Sequence, residues 1–455
     1  MKTYVRRALL TVGGIAVSAA VLTGTAAAGF ATTMARDFSV TVPASHTIDR
    51  RPASPPEEGR IHVAVLLGAG GSVATDVMGP FDVFASSPRF DVRTVASTRE
   101  PVALSGGLTV VPDSTFADYA SGRLRLPDLL VVPAITDPAG SVEADLRSMI
   151  ETAHRGGRTI MGVCAGARVL VETDVLRGKR ATSFWSDIDG MRSSHPETVW
   201  VSGQRWVEDG EIITTAGVSS GIAASLHVVQ KLAGVAEAER IADDIRYPHW
   251  EPHGATGIPV NTTSLDDYPY VLGATMPWGQ PRYGLGLAPG VDEIDVAAAA
   301  ELYGGAAFTA HITPVAETST VTTKHGLRLL ATPLDSAGRL DRLIVPGVTA
   351  TSLAAKETPV FLPAAGATSG NTSFDPVLAD IARTDGRHLA ETAAKYIEYP
   401  LPTLPEESGF PTRIAILTGG ALLVSVAAGF APLAVARLRP ATMLVQGRRR
   451  DRQRR

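Results

Sequence analysis

Between residues 61 and 248, short and nearly continuous apolar runs alternate with stretches of helical periodicity. The apolar runs include IHVAVLLGAG from Ile61, PDLLVVPAI from Pro127 and RTIMGVC from Arg158. Such runs are typical of strands buried on both faces of a parallel sheet. The segments between them, such as DVMGPFDVFAS and SVEADLRSMIETAHRGG, have helical spacing. This alternation predicts an α/β fold, a doubly wound parallel sheet between two layers of helices.

The same order of elements recurs in residues 282–400. Asp76 stands eight residues before Phe84 in the first region, and Asp295 stands eight residues before Tyr303 in the second. DRLIVPGV matches PDLLVVPAI, and AETAAKYIEYP near the end of the second region matches AERIADDIRYP near the end of the first. An ordered series of matches indicates an internal repeat.

The second copy is much shorter than the first between its third strand and its closing helices. We therefore expect it to be truncated and to lack both a thiol and any counterpart of the segment GVCAGA. A structural role follows, with the second copy standing in for the partner of a dimer. An intramolecular pseudo-dimer and a homodimer of whole chains both stay open.

Both ends of the chain are apolar. Ala8 to Ala35 carries no charge and follows Lys2, Arg6 and Arg7, which fits either an uncleaved membrane anchor or a cleaved signal peptide. Residues 414–436 are also uncharged and run into an arginine-rich tail. The positive-inside rule then places both termini in the cytoplasm and the main domains outside the cell membrane.

These patterns give a linear organisation of the chain. The predicted segments are an N-terminal signal-anchor or signal peptide (1–35), a linker (36–60), a first α/β domain (61–248), a connecting segment (249–281), a truncated second copy (282–400), a stalk (401–412), a transmembrane helix (413–437) and a basic cytoplasmic tail (438–455).

Composition narrows the chemistry. Hydrophobic residues are 45% and charged residues 19% of the chain, which excludes a mainly disordered protein. The net charge of −4 gives no case for a nucleic-acid partner. The single cysteine, Cys164, excludes an intramolecular disulfide and a multi-thiolate zinc site.

Cys164 lies in GVCAGA, between a predicted strand and a predicted helix. A side chain on such a turn projects above the carboxyl ends of the strands, where open α/β sheets build their sites. We expect the helix that begins at Ala165 to lower the pKa of the thiol and the Ala165 amide to serve as an oxyanion donor. Small residues such as Gly166 leave room for the tight turn and for a substrate.

GVCAGARVLVETDVLRGKRATSFW, followed by RWVEDGEIITTAGVSSGIAASLHVV, resembles the core of the DJ-1/PfpI (ThiJ) family, which has the class I glutamine-amidotransferase-like fold. Within that family it is similar to the branch of isonitrile hydratases and of the sensor domains of AraC-type regulators. The resemblance implies a flavodoxin-like sandwich with Cys164 as nucleophile. It also implies that Asp76, in DVMGP, shares a proton with Cys164 and acts as general acid and base. Ala134 and Trp185 would complete the pocket.

Three departures from the family pattern bear on activity. Ala165 replaces the His or Thr that often follows the nucleophile, PAI at residues 133–135 replaces PGG, and Phe184 replaces a His. Three hypotheses stay open: an enzyme adding Cys164 to a small electrophile by hydratase- or amidase-like chemistry, a non-catalytic sensor signalling across the membrane, and an inert scaffold.

The remaining motifs predict no further ligand. The trio of His249, Glu251 and His253 lies in a proline-containing loop without defined geometry, so we expect no metal site there. The segment GAGG lacks the third glycine of a dinucleotide fingerprint, because Val73 stands in its place. We expect no cofactor. The predicted partners are a small-molecule substrate or ligand and the membrane.

Overall fold

The computed structural model describes residues 2–44, 47, 53–353, 358–366 and 373–438. The predicted basic tail, apart from its first residue, and part of the predicted linker lie outside the described residues. The chain divides into two compact units. One comprises Met1–Thr33, Ala274–Gly279 and Pro411–Arg455, and the other comprises Met34–Gly273 and Gln280–Phe410.

The strands, in chain order, are β1 (Ile61–Leu66), β2 (Phe90–Ala96), β3 (Val102–Leu104), β4 (Leu108–Val111), β5 (Ser114–Thr115), β6 (Leu129–Val132), β7 (Thr159–Gly162), β8 (Arg180–Ala181), β9 (Val199–Trp200), β10 (Trp206–Asp209), β11 (Ile212–Thr215), β12 (Arg282–Gly286), β13 (His311–Ala316), β14 (Thr320–Thr322), β15 (Arg328–Leu330), β16 (Thr332–Pro333), β17 (Arg342–Ile344) and β18 (Val360–Phe361).

The α-helices are α1 (Lys2–Asp37), α2 (Ala74–Ala85), α3 (Phe116–Ala120), α4 (Ala144–Arg155), α5 (Ala167–Val171), α6 (Ile188–Ser194), α7 (Val218–Ala233), α8 (Val235–Asp244), α9 (Tyr268–Thr275), α10 (Glu293–Ala300), α11 (Phe374–Thr384), α12 (Arg387–Tyr396) and α13 (Thr412–Leu438). The connecting segment 249–281, which the sequence predicts to be irregular, contains α9. A π-helical turn, Glu301–Ala306, directly continues α10.

Residues 61–248, here called the first α/β region, form a seven-stranded sheet in the order β10-β11-β7-β6-β1-β2-β5. Every neighbouring pair is parallel except β10 and β11. Residues 63–66 of β1 are fully buried because helices cover both faces of the sheet. The α/β sandwich that the apolar runs predict is therefore present.

Residues 282–400, here called the second α/β region, form a five-stranded parallel sheet in the order β16-β13-β12-β17-β18. This order matches β5-β2-β1-β6-β7 of the first region strand for strand. Each region also inserts a hairpin at the same point of its chain, β3–β4 in the first and β14–β15 in the second. The matching order supports the predicted repeat.

The expectation that the second region lacks any counterpart of GVCAGA is wrong. Strand β18 pairs with β17 as β7 pairs with β6, with Phe361 in the register position of Met161. A 3-10 turn, Pro363–Gly366, then follows β18, as the turn Cys164–Gly166 follows β7. Ala364 therefore occupies the register position of Cys164. The second region has the turn without the thiol, and the sequence that it lacks lies after this point.

The two regions share a sheet and an apolar core. The hairpins join into a four-stranded antiparallel sheet in which Leu329 of β15 lies opposite Val110 of β4. Helix α2 packs against α7 of its own region and against α10 of the other. Buried Phe84, Ile222 and Leu302 belong to one apolar cluster that spans both regions, and each region also has a smaller apolar cluster of its own.

Reciprocal carboxylates fix the two facing helices α2 and α10. The Ile294 N–H, in the first turn of α10, donates to Asp82 Oδ2 at 3.0 Å. The Thr75 N–H, in the first turn of α2, donates to the carboxylate of Glu301. Neither helix has a side-chain cap from its own N-cap residue. Each region therefore supplies the acceptor for the free N–H groups of the other.

Among the residues that the structure describes, two segments are long and apolar enough to cross a bilayer, Leu10–Asp37 in α1 and Thr412–Ala431 in α13. They come into backbone contact in their own unit: a Cβ atom on Gly14 would lie 2.9 Å from the Gly429 carbonyl oxygen. Such close approach is the usual role of small residues between membrane helices.

The hairpin turn of β3–β4 provides a test of how the two regions dock. Gly106 has φ +71°, and a Cβ atom there would lie 2.8 Å from the Ala300 carbonyl oxygen on α10. Gly122 has φ +73° with no atom within 4 Å of its Cβ position, so it is a matched control. We predict that Gly122→Ala lowers the free energy of unfolding by about 1 kcal/mol through φ strain alone. Gly106→Ala should cost about 3 kcal/mol or more, because backbone must also move.

Equilibrium unfolding of the full chain in detergent measures both changes. Equal destabilisation by the two substitutions would contradict the docking of this hairpin on α10.

Candidate active site

Cys164 lies on a strained turn directly after β7. Its φ is +56°, in the left-handed region that residues other than glycine rarely adopt. Its N–H donates to Thr215 Oγ1 at 3.2 Å, and its carbonyl oxygen accepts a hydrogen bond from the Ser183 hydroxyl at 3.3 Å. Two side chains from elsewhere in the region therefore hold both backbone polar groups of the elbow.

Gly166 allows this turn to pack against the end of β6. A Cβ atom on Gly166 would overlap the Val132 carbonyl oxygen. The helix expected to begin at Ala165 begins at Ala167, after the 3-10 turn, and α5 is only five residues long. The dipole that faces the thiol is therefore that of a short helix.

The pKa of the Cys164 thiol is opposite to the expectation. Burial raises this pKa well above its ordinary value, and the nearby Asp76 carboxyl raises it further. The Ala165 N–H hydrogen-bonds the sulfur and lowers the pKa, but it does not offset the other two effects. With only 6% of the residue exposed, the resting thiol is neutral at physiological pH.

Asp76 lies in the first turn of α2 and is fully buried. Its Oδ2 accepts the Ala134 N–H at 3.0 Å, and its Oδ1 has no hydrogen-bond partner among the described residues. Burial raises the pKa of Asp76 well above its ordinary value, and the neighbouring Glu301 carboxyl adds to the shift. Asp76 is therefore held as a neutral acid beside a neutral thiol.

This arrangement changes the role expected for Ala134. Ala134 is expected to complete the pocket, but its N–H is donated to Asp76. The Ala134 carbonyl oxygen accepts the Val73 N–H at 3.0 Å, which ties the PAI turn to the start of α2. Ala134 therefore positions the acid instead of presenting a free amide.

Glu301, from the second region, holds the start of α2. The Ser105 hydroxyl donates to Glu301 Oε2 at 2.7 Å, and Ser105 Oγ accepts the Ala74 N–H at 2.8 Å. Burial raises the pKa of Glu301 to about 7. Together with the Thr75 N–H, these bonds fix the turn of α2 that carries Asp76.

Aromatic side chains from the second region and the connecting segment pack beside Trp185. The ring of Tyr396 lies 5.3 Å from that of Trp185 and stacks on Tyr270 at 3.5 Å between centroids. Phe184 also contacts Tyr396, at 6.4 Å. Trp185 thus lies in an aromatic cluster that the first region does not build alone.

Glu398 follows α12 and reaches the first region. Its carboxylate accepts the N–H of Gly217, the N-cap residue of α7, and its backbone carbonyl accepts the Ser219 hydroxyl at 2.8 Å. Glu398 has φ +49°, and burial raises the pKa of its carboxyl to about 7. The same carboxyl contributes to the raised pKa of Cys164, so it lies near the elbow.

The structure thus places Asp76 and Ala134 near the elbow that carries Cys164, and adds Thr215, Ser183, Glu301 and Glu398. Trp185 lies in the aromatic cluster two residues after Ser183. The internal repeat in the sequence could have identified Glu301 and Glu398. Glu301 stands six residues after Asp295, as Asp82 stands six after Asp76. Glu398 in IEYP likewise matches Arg246 in IRYP.

One cluster has ligand atoms close enough to hold a metal among the described residues: Asp82, Asp292 and His325. The Lys324 ammonium lies 2.7 Å from Asp292 Oδ1, and His325 Nδ1 lies 2.8 Å from Glu293 Oε2. The cluster is therefore already engaged in ion pairs.

Comparison with known proteins finds relatives of the first α/β region. The model of the DJ-1/PfpI family matches residues 62–231. An isonitrile hydratase from Pseudomonas putida is 33% identical over 174 residues, which cover 38% of this chain and 72% of the relative. The HTH-type transcriptional regulator CdhR from Pseudomonas aeruginosa is 31% identical over 143 residues, which cover 31% of this chain and 41% of the regulator.

Among solved structures, that of Drosophila melanogaster DJ-1beta aligns with 41% of this chain and 97% of its own, at 22% identity and a TM-score of 0.36. Matching residues 62–231 contain both Cys164 and Asp76. The similarity to relatives is therefore located in the region that carries the thiol and the acid, and the chain belongs to the DJ-1/PfpI family.

Proposed function

We propose that the first α/β region hydrates a small neutral electrophile of the isonitrile type, with Cys164 as nucleophile and Asp76 as general acid. The observation that carries this proposal is the neutral carboxyl of Asp76 beside a thiol on a strained elbow. The isonitrile hydratase relative supports the choice of substrate class. A carbon that accepts a proton as the sulfur attacks suits a buried acid better than a buried carboxylate.

The addition is balanced in protons and electrons. Cys164 Sγ bonds to the terminal carbon of the isonitrile while that carbon takes the proton of the Asp76 carboxyl. The carboxylate so formed receives the thiol proton, which leaves a thioimidate on the sulfur. Water then adds to the thioimidate carbon, with one proton passing to the nitrogen. The carbon–sulfur bond breaks, the sulfur regains a proton, and an N-substituted formamide is released.

Amidase chemistry receives less support. Acyl transfer develops negative charge on an oxygen, which needs donors placed in advance. The Ala134 amide is donated to Asp76 and the Ala165 amide to the sulfur. Addition to an isonitrile develops no such oxyanion in its first step, so the occupied amides do not oppose it.

We propose that the second α/β region is a diverged copy that acts as the internal partner of the first. The matching strand order, the shared hairpin sheet and the reciprocal carboxylates support this proposal. Ala364 in the position of Cys164 leaves the copy without a nucleophile. Its contribution is Glu301 and Glu398, which it presents to the elbow of the first region.

We further propose that α1 and α13 both anchor the chain in a membrane, with both termini in the cytoplasm and both α/β regions outside. The length and apolarity of the two helices and the contact of Gly14 with Gly429 support this arrangement. Basic residues near the N-terminal end of α1 and the C-terminal end of α13, including Arg7 and Arg437, support a cytoplasmic position for both ends.

A sensor is the second candidate function. The observation that favours it is the 6% exposure of Cys164, which suits slow ligand exchange. The transcriptional regulator among the relatives points the same way. In this alternative the site binds a small molecule without turning it over, and the membrane helices report occupancy to a cytoplasmic partner.

We predict that the purified full chain converts methyl isocyanide to N-methylformamide. Cys164→Ser should abolish turnover, and Asp76→Asn should reduce it by about 10²- to 10⁴-fold because the general acid is lost. Asp295→Asn, at the equivalent position of the second region, should leave it unchanged. Ligand-dependent stabilisation without turnover by the wild type would favour the sensor, and neither effect would favour an inert scaffold.

We predict that iodoacetamide alkylates Cys164 slowly at pH 7 to 9 in the folded chain, because the raised pKa of the thiol keeps it protonated. When the thiol titrates at high pH, an ionised Asp76 carboxylate opposes the thiolate, so Asp76→Asn should move the alkylation curve to lower pH. Asp295→Asn should not move it. Rapid alkylation at pH 7 in the folded wild type, at the rate of the unfolded chain, would rule out a neutral resting thiol.

The proposed topology predicts that protease added to intact expressing cells digests the α/β regions and leaves a C-terminal epitope tag intact. The intact mass of the purified protein should include residues 1–35. Digestion of residues 61–400 only after lysis would contradict the orientation, and a mass lacking the first helix would show that it is cleaved.

A further inference from the structure

A small cavity of about 60 Å³ opens next to the elbow. Its lining includes Thr182, Ser183 and Trp185 from the first region, Asn261 from the connecting segment and Glu398 from the second region. Ser183 is the residue whose hydroxyl binds the carbonyl of Cys164. The cavity is therefore adjacent to the proposed nucleophile, and three parts of the chain contribute to it.

Two polar side chains of the residues that line this cavity lack a hydrogen-bond partner within the described part of the chain. Thr182 Oγ1 and Trp185 Nε1 are buried atoms with no hydrogen-bond partner among the described residues. The Thr182 residue is fully buried. A buried donor without an acceptor is costly, so two such atoms on one small cavity point to a ligand that accepts hydrogen bonds.

Glu398 supplies the opposite chemistry at the other side of the cavity. Its carboxylate is held by the Gly217 N–H at the start of α7. A Cβ atom on Gly217 would lie 2.5 Å from Glu398 Oε2, so a larger residue would displace the carboxylate from this place. Glu398 itself adopts a left-handed φ of +49°. Local strain and a close backbone approach both serve to bring an acceptor to the cavity.

We propose that this cavity binds the carboxamide group of a small molecule, with Trp185 and Thr182 donating to its carbonyl oxygen and Glu398 accepting its N–H. An ammonium group cannot accept from Trp185, and a carboxylate would be repelled by Glu398. A carboxamide is a compact group that offers both an acceptor and a donor within a cavity of this volume.

This inference rests on the proposed hydration and deepens it. The isonitrile substrate has neither an N–H nor a carbonyl, whereas the formamide product has both. The cavity is therefore a product subsite beside Cys164, where the N–H that forms during hydration meets Glu398. The residue equivalent to Glu398 in the first region is Arg246, which lies 3.8 Å from Asp295 and is 44% exposed.

The test uses the full chain in detergent with Cys164→Ser, which binds without turnover. N-methylformamide should raise the melting temperature in a saturable way. N,N-dimethylformamide, which lacks the N–H, should bind about tenfold more weakly, the usual cost of one buried hydrogen bond. This ligand pair needs no substitution in the cavity, so it remains decisive if a cavity variant fails to fold.

Single substitutions test which side chains contact N-methylformamide. Glu398→Gln keeps the acceptor for the Gly217 N–H and should weaken N-methylformamide binding by about tenfold, as should Trp185→Phe. Arg246→Gln is the matched control and should leave affinity unchanged. Equal affinity for the two formamides, or no saturable binding of either, would overturn the proposal and assign the cavity to water.

The two proposals fail in different ways. Binding of N-methylformamide by the Cys164→Ser chain, with no isonitrile turnover by the wild type, would reject the hydration and retain a carboxamide site. Turnover without any formamide binding would retain the hydration and reject the product subsite.

Discussion

Reciprocal capping of α2 and α10 is the constraint on which the site depends. Glu301 accepts the N–H of Thr75, and Asp82 accepts the N–H of Ile294 across the pseudo-symmetric contact. Since Asp76 lies one residue after Thr75, a carboxylate from the second region fixes the turn that carries the proposed general acid. The same carboxylate raises the pKa of Asp76. The docking of the second region against the first therefore affects both the position and the protonation of Asp76.

Burial explains why the elbow differs from a typical reactive thiol. A cysteine at the start of a helix usually gains thiolate character from the backbone amides. Here α5 is short, Cys164 is covered, and Asp76 lies beside the sulfur, so the neutral thiol is favoured. A neutral carboxyl can give its proton to the isonitrile carbon and then take the proton of the neutral thiol, so the addition needs no other acid or base. The features of the elbow that disfavour acyl transfer by Cys164 therefore suit the proposed hydration.

The periodicity of apolar positions was sufficient to predict the α/β fold. The motif around Cys164, with the family resemblance that it carries, was sufficient to select Cys164 and Asp76 as candidate site residues. The sequence could not predict that the pKa of the Cys164 thiol is raised, because the burial of the thiol depends on side chains that pack only in the folded chain. The turn at Ala364 was missed because spacing alone cannot say where a deletion lies. Glu301 and Glu398 stood at repeat positions, but their function depends on docking between regions, which no local pattern records.

The most direct test of the account is the mass of the Cys164 peptide after a single turnover with methyl isocyanide, quenched in acid. The account predicts an adduct on Cys164 equal to one whole substrate molecule, present in the wild type and absent in Cys164→Ser. It also predicts that the adduct decays as N-methylformamide appears. Formation of N-methylformamide without any adduct on Cys164, or an unmodified thiol with no product, would contradict the central claim that Cys164 is the nucleophile.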